Sequence, residues 1–311
     1  MAKVVYVVLK ERPHIGHITW LRAMRALGHE VKLASLQRPR MPINHGDILI
    51  TEGVRPTAFG ITQRLLFRCW AAVANSPSIL KLALNLLYKL PDKVLSVSEL
   101  VAKLIDNDVF VLHPVPPEID KLLEAKSVER RPWVCFVGAF IPIKGLHLVP
   151  DVAHRLRGEG VRVTFMLIGG TEEGRLTRLI LRKAEKLGVR EYIKIVKPLP
   201  RAELFNLLRR CSVYLHPSLF DAFPVSVVEA MALGVVPVVA KYVGTAEIVK
   251  KVDQSLIREP TPESLADAVG ALLENPPLLR ELSKRSREAV REALSFRSIL
   301  SDVETFIRLC V

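Results

Sequence analysis

The stretch HPSLFDAFPVSVVEAMALGVVPVVA, residues 216–240, is the part of the sequence that decides the fold class. A preceding apolar run ends at its His-Pro-Ser, and a polar loop that contains Asp221 follows. The next residues have the composition of a helix, which carries Glu229 and ends at Gly234. A second apolar run then has the length of a buried strand. The order strand, loop, helix, strand predicts a parallel α/β unit, in which the loops after the strands form the binding crevice.

The same alternation of short apolar runs and longer periodic segments continues along the chain. In the first part, the predicted strands are residues 4–9, 31–34, 48–51, 94–97 and 109–112. Residues 61–90 are predicted to be helical. In residues 114–132, prolines and charges replace the apolar pattern, which restarts at Trp133. The predicted arrangement is α/β with two doubly wound domains, residues 1–115 and 133–295, and a linker at residues 116–132.

Composition and charge limit the classes of function. Hydrophobic residues make up 50% and charged residues 25% of 311 residues, which is enough to fold two ordinary domains and excludes a disordered chain. The net charge is +13, and residues 1–100 contribute 14 − 6 = +8 of it. This excess favours an anionic partner, namely a nucleotide, an anionic lipid surface or a nucleic acid. The chain has no basic motif interleaved with aromatic residues and no helix-turn-helix pattern, which argues against nucleic acid.

The spacing of the cysteines and the length of the apolar runs indicate the cellular compartment of the protein. Cys69, Cys135, Cys211 and Cys310 form no CxxC or zinc-type spacing, so we expect small buried side chains in a reducing compartment. The apolar start of the chain is too short for a signal peptide, and no uncharged apolar run reaches about 18 residues. We therefore expect a cytoplasmic protein without a spanning helix. Few Asn and Gln beside many Arg and Pro favour a thermophilic source.

The opening stretch resembles the donor-binding signature of the family 4 glycosyltransferases, which have the GT-B fold and retain anomeric configuration. That signature has two glutamates eight positions apart, with Phe-Gly after the first and Glu-Ala-Met-Ala-x-Gly at the second. Residues 229–234 match the second part in full, whereas Asp221 (229 − 221 = 8) and Pro224 replace the first glutamate and the glycine. The resemblance implies two Rossmann-like domains facing across a cleft, with residues 296–311 crossing back onto the first domain.

A second element, FVGAFIPIKG at residues 136–145, resembles the Val-Gly-Arg…Lys-Gly element of the same family. The resemblance implies that Gly138 and Lys144 bind the diphosphate of a nucleotide-sugar. Ala139 stands at the position of the family's arginine, so one of the two expected cations is missing. The candidates to replace it are Arg12, Arg55 and Arg201.

The resemblance also assigns roles to the carboxylates and to the loop between them. Glu229 corresponds to the glutamate that accepts hydrogen bonds from two ribose hydroxyls, as a carboxylate can. Asp221 is the candidate catalytic carboxylate that faces the hydroxyls of the donor sugar, although it is shorter by one methylene. Backbone N–H groups near Phe223 and Val225 are expected to hold the β-phosphate, whereas Pro224 has no N–H to donate.

In the first domain, Gly16 follows the first strand and precedes the first helix. The resemblance implies a glycine-rich loop here that donor and acceptor approach closely, and a plain β–α turn explains the same glycine. The neighbouring His14 and His17 are equally well explained as surface histidines.

Many members of the family carry a histidine after the third or fourth strand of the first domain. This sequence has ITEG at residues 50–53 and VANS at residues 73–76 instead. The family is thought to retain configuration by front-face displacement, in which the leaving phosphate accepts the acceptor's proton. A protein nucleophile is then unnecessary, and Glu52 is the candidate titratable group nearest to the expected place.

Two further motifs admit simple structural explanations. Asp106-Asn107-Asp108 matches the DxD string of metal-dependent enzymes, but Asp and Asn also form turns. We predict neither a metal nor a cofactor, since the nucleotide-sugar is a substrate. A leucine-rich stretch at residues 80–90 with flanking lysines is typical either of a core helix or of a segment that lies on an anionic membrane.

Together these features predict a retaining glycosyltransferase that moves a sugar from a nucleotide-sugar to a glycan or lipid-linked acceptor. Peripheral association with the inner face of an anionic membrane is part of this hypothesis. Ala139, Asp221 and the missing histidine leave a second hypothesis open, in which the chain is a GT-B-like binding or regulatory protein with weakened catalysis.

Overall fold

The computed structural model describes residues 1–9, 12–37, 46–75, 87–105, 109–171 and 173–311. The chain forms two compact units. The first comprises Met1–Ile119 with Leu294–Val311, and the second comprises Asp120–Ala293. Each unit contains a six-stranded parallel sheet. The prediction of two α/β Rossmann-like domains is therefore confirmed.

The sheet of the first unit has the strand order β2-β1-β3-β4-β5-β6. Its strands are β1 (Lys3–Val8), β2 (Glu30–Ser35), β3 (Gly46–Glu52), β4 (Phe67–Ala74), β5 (Lys93–Ser96) and β6 (Val109–Val111). Its helices are His17–Ala26, Val54–Gln63, Glu99–Ala102 and Phe296–Cys310. The central strands are buried along nearly their whole length, because helices of a parallel sheet cover both faces. Their sequences are therefore continuous apolar runs.

Strand β4 corrects one prediction from the sequence. Residues 61–90 were predicted to be helical, but Phe67–Ala74 is a central strand that pairs with β3 and β5. Its alanines favour a helix when taken alone, but seven of its eight residues are buried in the sheet. Trp70 anchors it in the core, with its indole N–H donating to Thr51 Oγ1 at 3.1 Å. Tertiary packing thus overrides local propensity here.

The last helix of the chain, Phe296–Cys310, belongs to the first unit and packs against His17–Ala26. The Arg22 guanidinium lies 5.7 Å from the centre of the Phe296 ring. The Phe306 ring lies 5.9 Å from that of Phe110. These contacts bury the apolar face of the helix and complete the core of the unit.

The second unit has the strand order β12-β11-β10-β7-β8-β9. Its strands are β7 (Arg131–Val137), β8 (Thr164–Ile168), β9 (Ile193–Val196), β10 (Cys211–His216), β11 (Val236–Ala240) and β12 (Ile257–Arg258). Its longer helices are Val149–Gly158, Arg175–Lys186, Arg201–Leu208, Val225–Ala232, Ala246–Val252, Pro262–Leu273 and Pro276–Leu294. Every residue of β10 and β11 is buried. The strand order reverses between β10 and β7, and the loops that follow these two strands lie side by side.

Two segments contain more local structure than the sequence analysis expected. The proline-rich stretch between the two apolar patterns contains a short helix, Ile119–Glu124. After β7, two 3₁₀ turns at Pro142–Lys144 and Leu146–Leu148 precede the helix that begins at Val149. The loop after β7 is therefore long enough to carry side chains over the end of the sheet.

The cysteines form two disulfides, Cys69–Cys310 and Cys135–Cys211, with Cα–Cα distances of 5.4 and 6.2 Å. Both distances fall in the ordinary range for disulfides. The prediction of four unpaired buried thiols is wrong, because residues 241 and 76 positions apart in sequence lie side by side in the fold. Cysteine usage therefore no longer supports a reducing compartment. No helix in the described ranges combines the length and apolar character needed to cross a membrane.

Candidate functional site

The loops after β7 and β10 bring together a lysine, an aspartate and a histidine. Lys144 Nζ contacts Asp221 Oδ2 in a short ion pair. The same carboxylate oxygen lies 2.8 Å from His216 Nε2. Ser218 Oγ lies 3.0 Å from that nitrogen. Two of the predicted site residues, Lys144 and Asp221, are thus in direct contact, with His216 between them and the core.

The charges of this cluster follow from its burial. Burial raises the pKa of Asp221, but the hydrogen bond with His216 and the Lys144 ammonium outweigh it, so the pKa lies below its usual value. Burial lowers the pKa of His216 and outweighs the effect of Asp221. His216 Nδ1 is buried without a hydrogen-bond partner in the described structure. An unprotonated Nδ1 costs less there than a buried N–H, so a neutral His216 donates from Nε2 to an ionised Asp221.

Gly145 explains how Lys144 reaches this position. Its φ of +70° lies in the left-handed region, and a Cβ atom there would collide with the Pro217 carbonyl. The absence of a side chain lets the turn after β7 pack directly on the loop after β10. A backbone hydrogen bond from Leu219 N to Ile143 O, 2.8 Å long, joins the same two loops.

Glu229 is buried on the helix Val225–Ala232, with only 5% of its side chain exposed. Its Oε1 accepts a hydrogen bond from Arg201 Nη2 at 2.8 Å. Arg201 begins the helix Arg201–Leu208, and its guanidinium also lies 4.8 Å from the centre of the Phe205 ring. A buried carboxylate needs such a charged partner, since an isolated one is costly to bury.

Tyr214 on β10 lies among these groups. Burial raises the pKa of Tyr214, and the nearby Glu229 and Asp221 carboxylates raise it further. Its hydroxyl bonds to Ser226 Oγ at 2.8 Å and to the Val137 carbonyl at 3.2 Å. The charges of both predicted carboxylates therefore act on one buried side chain, which also ties the end of β7 to the first turn of the helix that carries Glu229.

The remaining predicted residues of this unit line the same end of the sheet. Phe223 and Val225 are buried, and Val225 is the first residue of its helix, where backbone N–H groups and the helix dipole favour an anion. Gly138 directly follows β7, and a Cβ on Gly169 would collide with its carbonyl. The ends of β7 and β8 are thereby held close together.

A cavity of about 700 Å³ lies beside these strand ends, and Ala139 and Gly170 are among the residues that line it. Ala139 thus opens space where the family pattern has an arginine. Of the three arginines considered as replacements, Arg201 lies in the site through its bond to Glu229. Arg12 and Arg55 are exposed residues of the first unit.

In the first unit, Glu52 ends β3 and lies in a buried cluster. Its Oε2 accepts from Tyr6 Oη at 2.9 Å and lies 3.1 Å from His17 Nδ1. The His17 ring stacks on Trp20 at 3.9 Å. Burial raises the pKa of Glu52, but the hydrogen bonds from His17, Tyr6 and the His14 backbone outweigh it and lower the pKa. Glu52 is therefore an ionised, oriented carboxylate at the end of a central strand.

The two histidines near Gly16 differ. His17 is 1% exposed, so its interpretation as a surface residue is wrong, whereas His14 is exposed. Gly16 itself has ordinary helical angles, but a Cβ there would collide with Pro114. Close packing of two backbone segments explains this glycine, and no ligand is needed to account for it.

Two sequence motifs lie outside the described residues. These are Asp106–Asp108 and most of the leucine-rich stretch, residues 80–86. Within the described ranges, no three His, Cys, Asp or Glu side chains are grouped so that they could hold a metal ion.

Comparison with known proteins identifies the family. The model of the family described as glycosyl transferases group 1 matches residues 102–289, more than half of the chain. The chain belongs to this glycosyltransferase family. The resemblance inferred from EAMALG is therefore confirmed.

Two curated relatives show the range of the family. The MMP alpha-(1->4)-mannosyltransferase of Mycolicibacterium hassiacum is 32% identical over 67% of this chain and 51% of its own length. The N,N'-diacetylbacillosaminyl-diphospho-undecaprenol alpha-1,3-N-acetylgalactosaminyltransferase of Campylobacter jejuni is 25% identical over 55% of this chain and 42% of its own. The chain spans about half or less of the length of these relatives.

Solved structures share the fold of this glycosyltransferase-family chain over 99% of its length. Sucrose-phosphate synthase from Thermosynechococcus elongatus has a TM-score of 0.79, 15% identity and 99% coverage of its own chain. Anabaena HepE in complex with UDP-glucose has a TM-score of 0.76, 16% identity and full coverage of its own chain. At these identities the likeness establishes the fold alone.

The sequence analysis missed several polar residues that the structure places beside the predicted ones. His216 closes the apolar run before Asp221, and a histidine at the end of a buried strand is the signal that could have found it. Arg201 was considered only as a substitute cation, and its pairing with Glu229 across 28 positions was not predictable. Tyr6 and His17 reach Glu52 from other elements, and no local pattern connects them.

Proposed function

We propose that this chain is a retaining glycosyltransferase that uses a nucleotide-sugar donor. The observation that carries the proposal is the contact between Lys144 and Asp221 at the carboxyl ends of β7 and β10, beside the buried Tyr214, whose pKa the charge of Glu229 also raises. The family match supports the reaction class, and the HepE complex supports a UDP-sugar as the first donor to test. Retention of configuration rests on the sequence resemblance.

The proposed binding of the nucleotide-sugar donor is based on the charge of its diphosphate. When the glycosidic bond of the donor stretches, negative charge develops on the leaving diphosphate, and a fixed cation stabilises that state most. Lys144 supplies one cation, held over the strand ends by the turn at Gly145. Arg201 supplies the second, in place of the arginine that Ala139 replaces, and it orients Glu229 towards the ribose hydroxyls.

Asp221 is proposed to accept hydrogen bonds from the donor sugar. Its lowered pKa keeps it ionised at neutral pH, so it acts as an acceptor and not as an acid. His216 fixes the orientation of its carboxylate from the buried side. The shorter aspartate leaves more room for the sugar than the family's glutamate does.

On the acceptor side, we propose Glu52 as the oriented carboxylate of the first unit. His17 and Tyr6 hold it in place, and its pKa is lowered, so it is ionised and can accept a hydrogen bond from an acceptor hydroxyl. The leaving phosphate takes the acceptor's proton in the front-face displacement, so Glu52 positions the hydroxyl and forms no covalent bond to the sugar.

The acceptor class is proposed to be a glycan or a lipid-linked sugar. The Campylobacter relative is named for transfer to a diphospho-undecaprenol-linked sugar. The excess of positive charge in residues 1–100 suits a phosphorylated acceptor or an anionic membrane surface. Association with the inner face of an anionic membrane is a proposal that rests on that charge.

Donor turnover tests the proposal directly. Purified protein is incubated with UDP-, GDP- and ADP-hexoses, with and without glycan or lipid-phosphate acceptors, and released nucleoside diphosphate is measured. Proton NMR of the product's anomeric centre tests retention. We expect release from one donor, and a loss of about tenfold or more for Glu229→Gln. Failure to bind any nucleotide-sugar at about 1 mM would refute the proposal. Donor binding without turnover on any acceptor would support the regulatory alternative instead.

A further inference from the structure

The second unit contains another cavity, at the end of the sheet opposite to the site described above. It has a volume of about 870 Å³ and is lined by Arg131, the first residue of β7, and Ser212 near the start of β10. The candidate donor residues follow the other ends of these strands. Six residue steps along β7 correspond to about 20 Å, so the two sites are separate.

This cavity is strongly basic. Its cations are Arg130, Arg131, Arg280, Lys284 and Arg287, and its carboxylate is that of Glu129. The formal charge of these six groups is 5 − 1 = +4. In the part of the chain that the structure describes, none of the five cations forms an ion pair with a carboxylate. Surface cations of folded proteins are usually interspersed with acidic residues, so an uncompensated group of this size points to an external anion.

Two of these cations are held rigidly. Arg130 donates to the Cys211 and Leu233 carbonyls at 3.2 and 3.0 Å. Arg287 donates to the Ala125 carbonyl at 3.0 Å and makes a shorter bond to the Leu123 carbonyl. These bonds use two of the five N–H donors of each guanidinium and do not cancel its charge. Both side chains are only partly buried, so their remaining donors can meet a ligand.

The two guanidiniums also destabilise each other. Burial, and after it the charge of Arg287, lowers the pKa of Arg130 to about 10. Arg130 and Arg287 donate to carbonyl groups at Leu233 and at Leu123–Ala125, and these hydrogen bonds explain why both residues are arginines. The Arg131 guanidinium lies 4.7 Å from the centre of the Trp133 ring. Neither this contact nor those hydrogen bonds explain why Arg280 and Lys284 line the same cavity. A bound anion offsets the repulsion among all five.

Beside three serines, the rest of the lining consists of apolar side chains, which include Val128, Pro132, Leu273, Pro276 and Leu279. A cavity with a cationic end and an apolar wall fits a ligand with an anionic group on an apolar body. A phosphate ester brings up to two negative charges and pairs with guanidinium groups in a bidentate manner, whereas a carboxylate brings one. A charge of +4 therefore favours the phosphate.

We propose that this cavity, the arginine pocket, binds a phosphate ester with an apolar body, and that it is a ligand site separate from the donor site. Arg130 and Arg287 hold the phosphate at the inner end of the pocket. Arg280 and Lys284, on the exposed face of the helix Pro276–Leu294, provide the outer contacts. The source of the ester is either a soluble phosphorylated metabolite or the headgroup of a membrane lipid.

Calorimetry with octyl phosphate, octanol and inorganic phosphate tests the chemistry. We expect octyl phosphate to bind at least about tenfold more tightly than either other probe, equally well in the presence of saturating UDP. The variant Arg280→Gln with Lys284→Gln should weaken octyl phosphate binding about tenfold or more. The matched control Lys250→Gln with Lys251→Gln removes the same charge from exposed residues of the helix Ala246–Val252 and should bind as the wild type does.

The source is distinguished by sedimentation with phosphatidylcholine vesicles that contain or lack phosphatidic acid. Sedimentation that depends on phosphatidic acid and is lost in the pocket variant, but not in the control, identifies a lipid headgroup. Octyl phosphate binding without such sedimentation identifies a soluble ester. The proposal is overturned if octyl phosphate does not bind at about 1 mM, if UDP displaces it, or if both double variants bind it equally.

Discussion

Replacing Lys144 with methionine should weaken the binding of a nucleoside diphosphate far more than that of the nucleoside. Methionine keeps most of the length and the apolar stem of lysine but removes the ammonium group. In the folded protein that group contacts Asp221, and the lysine side chain is 20% exposed. Without it, the incoming diphosphate meets an ionised carboxylate and loses the lysine that the sequence resemblance assigns to it. His216 continues to hold Asp221, so the fold of the loop should survive.

The expected magnitude follows from the partial burial of the pair. Two unit charges about 4 Å apart interact by about 1 kcal/mol in water and about 4 kcal/mol near a protein surface. A hydrogen bond to a charged group contributes about 1.5–3 kcal/mol. Because one fifth of the lysine side chain is exposed, we expect removal of the ammonium group to cost about 2 kcal/mol of binding free energy. This loss corresponds to roughly a 30-fold increase in the dissociation constant of the diphosphate. The nucleoside carries no phosphate and should bind almost unchanged.

Calorimetric titration with UDP and with uridine measures both quantities. Lys32→Met is the matched control, because Lys32 also pairs with a carboxylate, that of Glu30 at 3.1 Å, on β2 of the first unit. It should bind both ligands as the wild type does. The reasoning fails if folded Lys144→Met protein binds UDP with wild-type affinity, or if uridine binding falls by the same factor as UDP binding.

Three further outcomes are expected. Wild-type protein should bind UDP about tenfold more tightly than 2′-deoxy-UDP. Glu229→Gln should lose that preference, because the contact with the ribose hydroxyls depends on the carboxylate. Equal discrimination by both proteins would exclude the role assigned to Glu229. Because the pKa of His216 is lowered in the folded state, the unfolded chain binds more protons, and the free energy of unfolding should decrease as pH falls through the ordinary value of 6.5. In urea titrations at several pH values, the free energy of unfolding of His216→Gln should decrease less over the same pH range. Replacing Cys69 and Cys310 with alanine should lower the free energy of unfolding by about 2–5 kcal/mol, since their disulfide closes a loop of 241 residues; no change in the urea midpoint would show that the bond does not form in solution.

The family and the main elements of each unit followed from local patterns. Buried strands of a parallel sheet are short apolar runs, and covering helices are periodic, so each type can be recognised within a few neighbouring residues. The segment 229–234 is such a local pattern, and so is the Lys-Gly pair at Lys144. Gly145 has a left-handed φ and lies close to Pro217, which explains why a glycine follows Lys144.

Strand β4 shows where local patterns mislead. The sequence FRCWAAVA contains alanines that favour a helix, and only its two neighbours in the sheet make it a strand. The cysteines show the same limit. Nothing near Cys69 in the sequence indicates Cys310, because the pair forms only when the last helix packs on the first unit.

The amino-acid sequence by itself determined the α/β class and the family, and it identified Lys144, Asp221 and Glu229 as candidate site residues. Only the tertiary structure decided what those groups contact. His216 and Lys144 contact the same oxygen of Asp221, and Arg201 donates a hydrogen bond to Glu229. A group of arginines without carboxylate partners lines a cavity at the opposite end of the second sheet. The physical reason is the range of the forces involved. Backbone preferences and apolar periodicity act between residues a few positions apart, whereas the charge and pKa of a site depend on groups that folding brings together from distant parts of the chain.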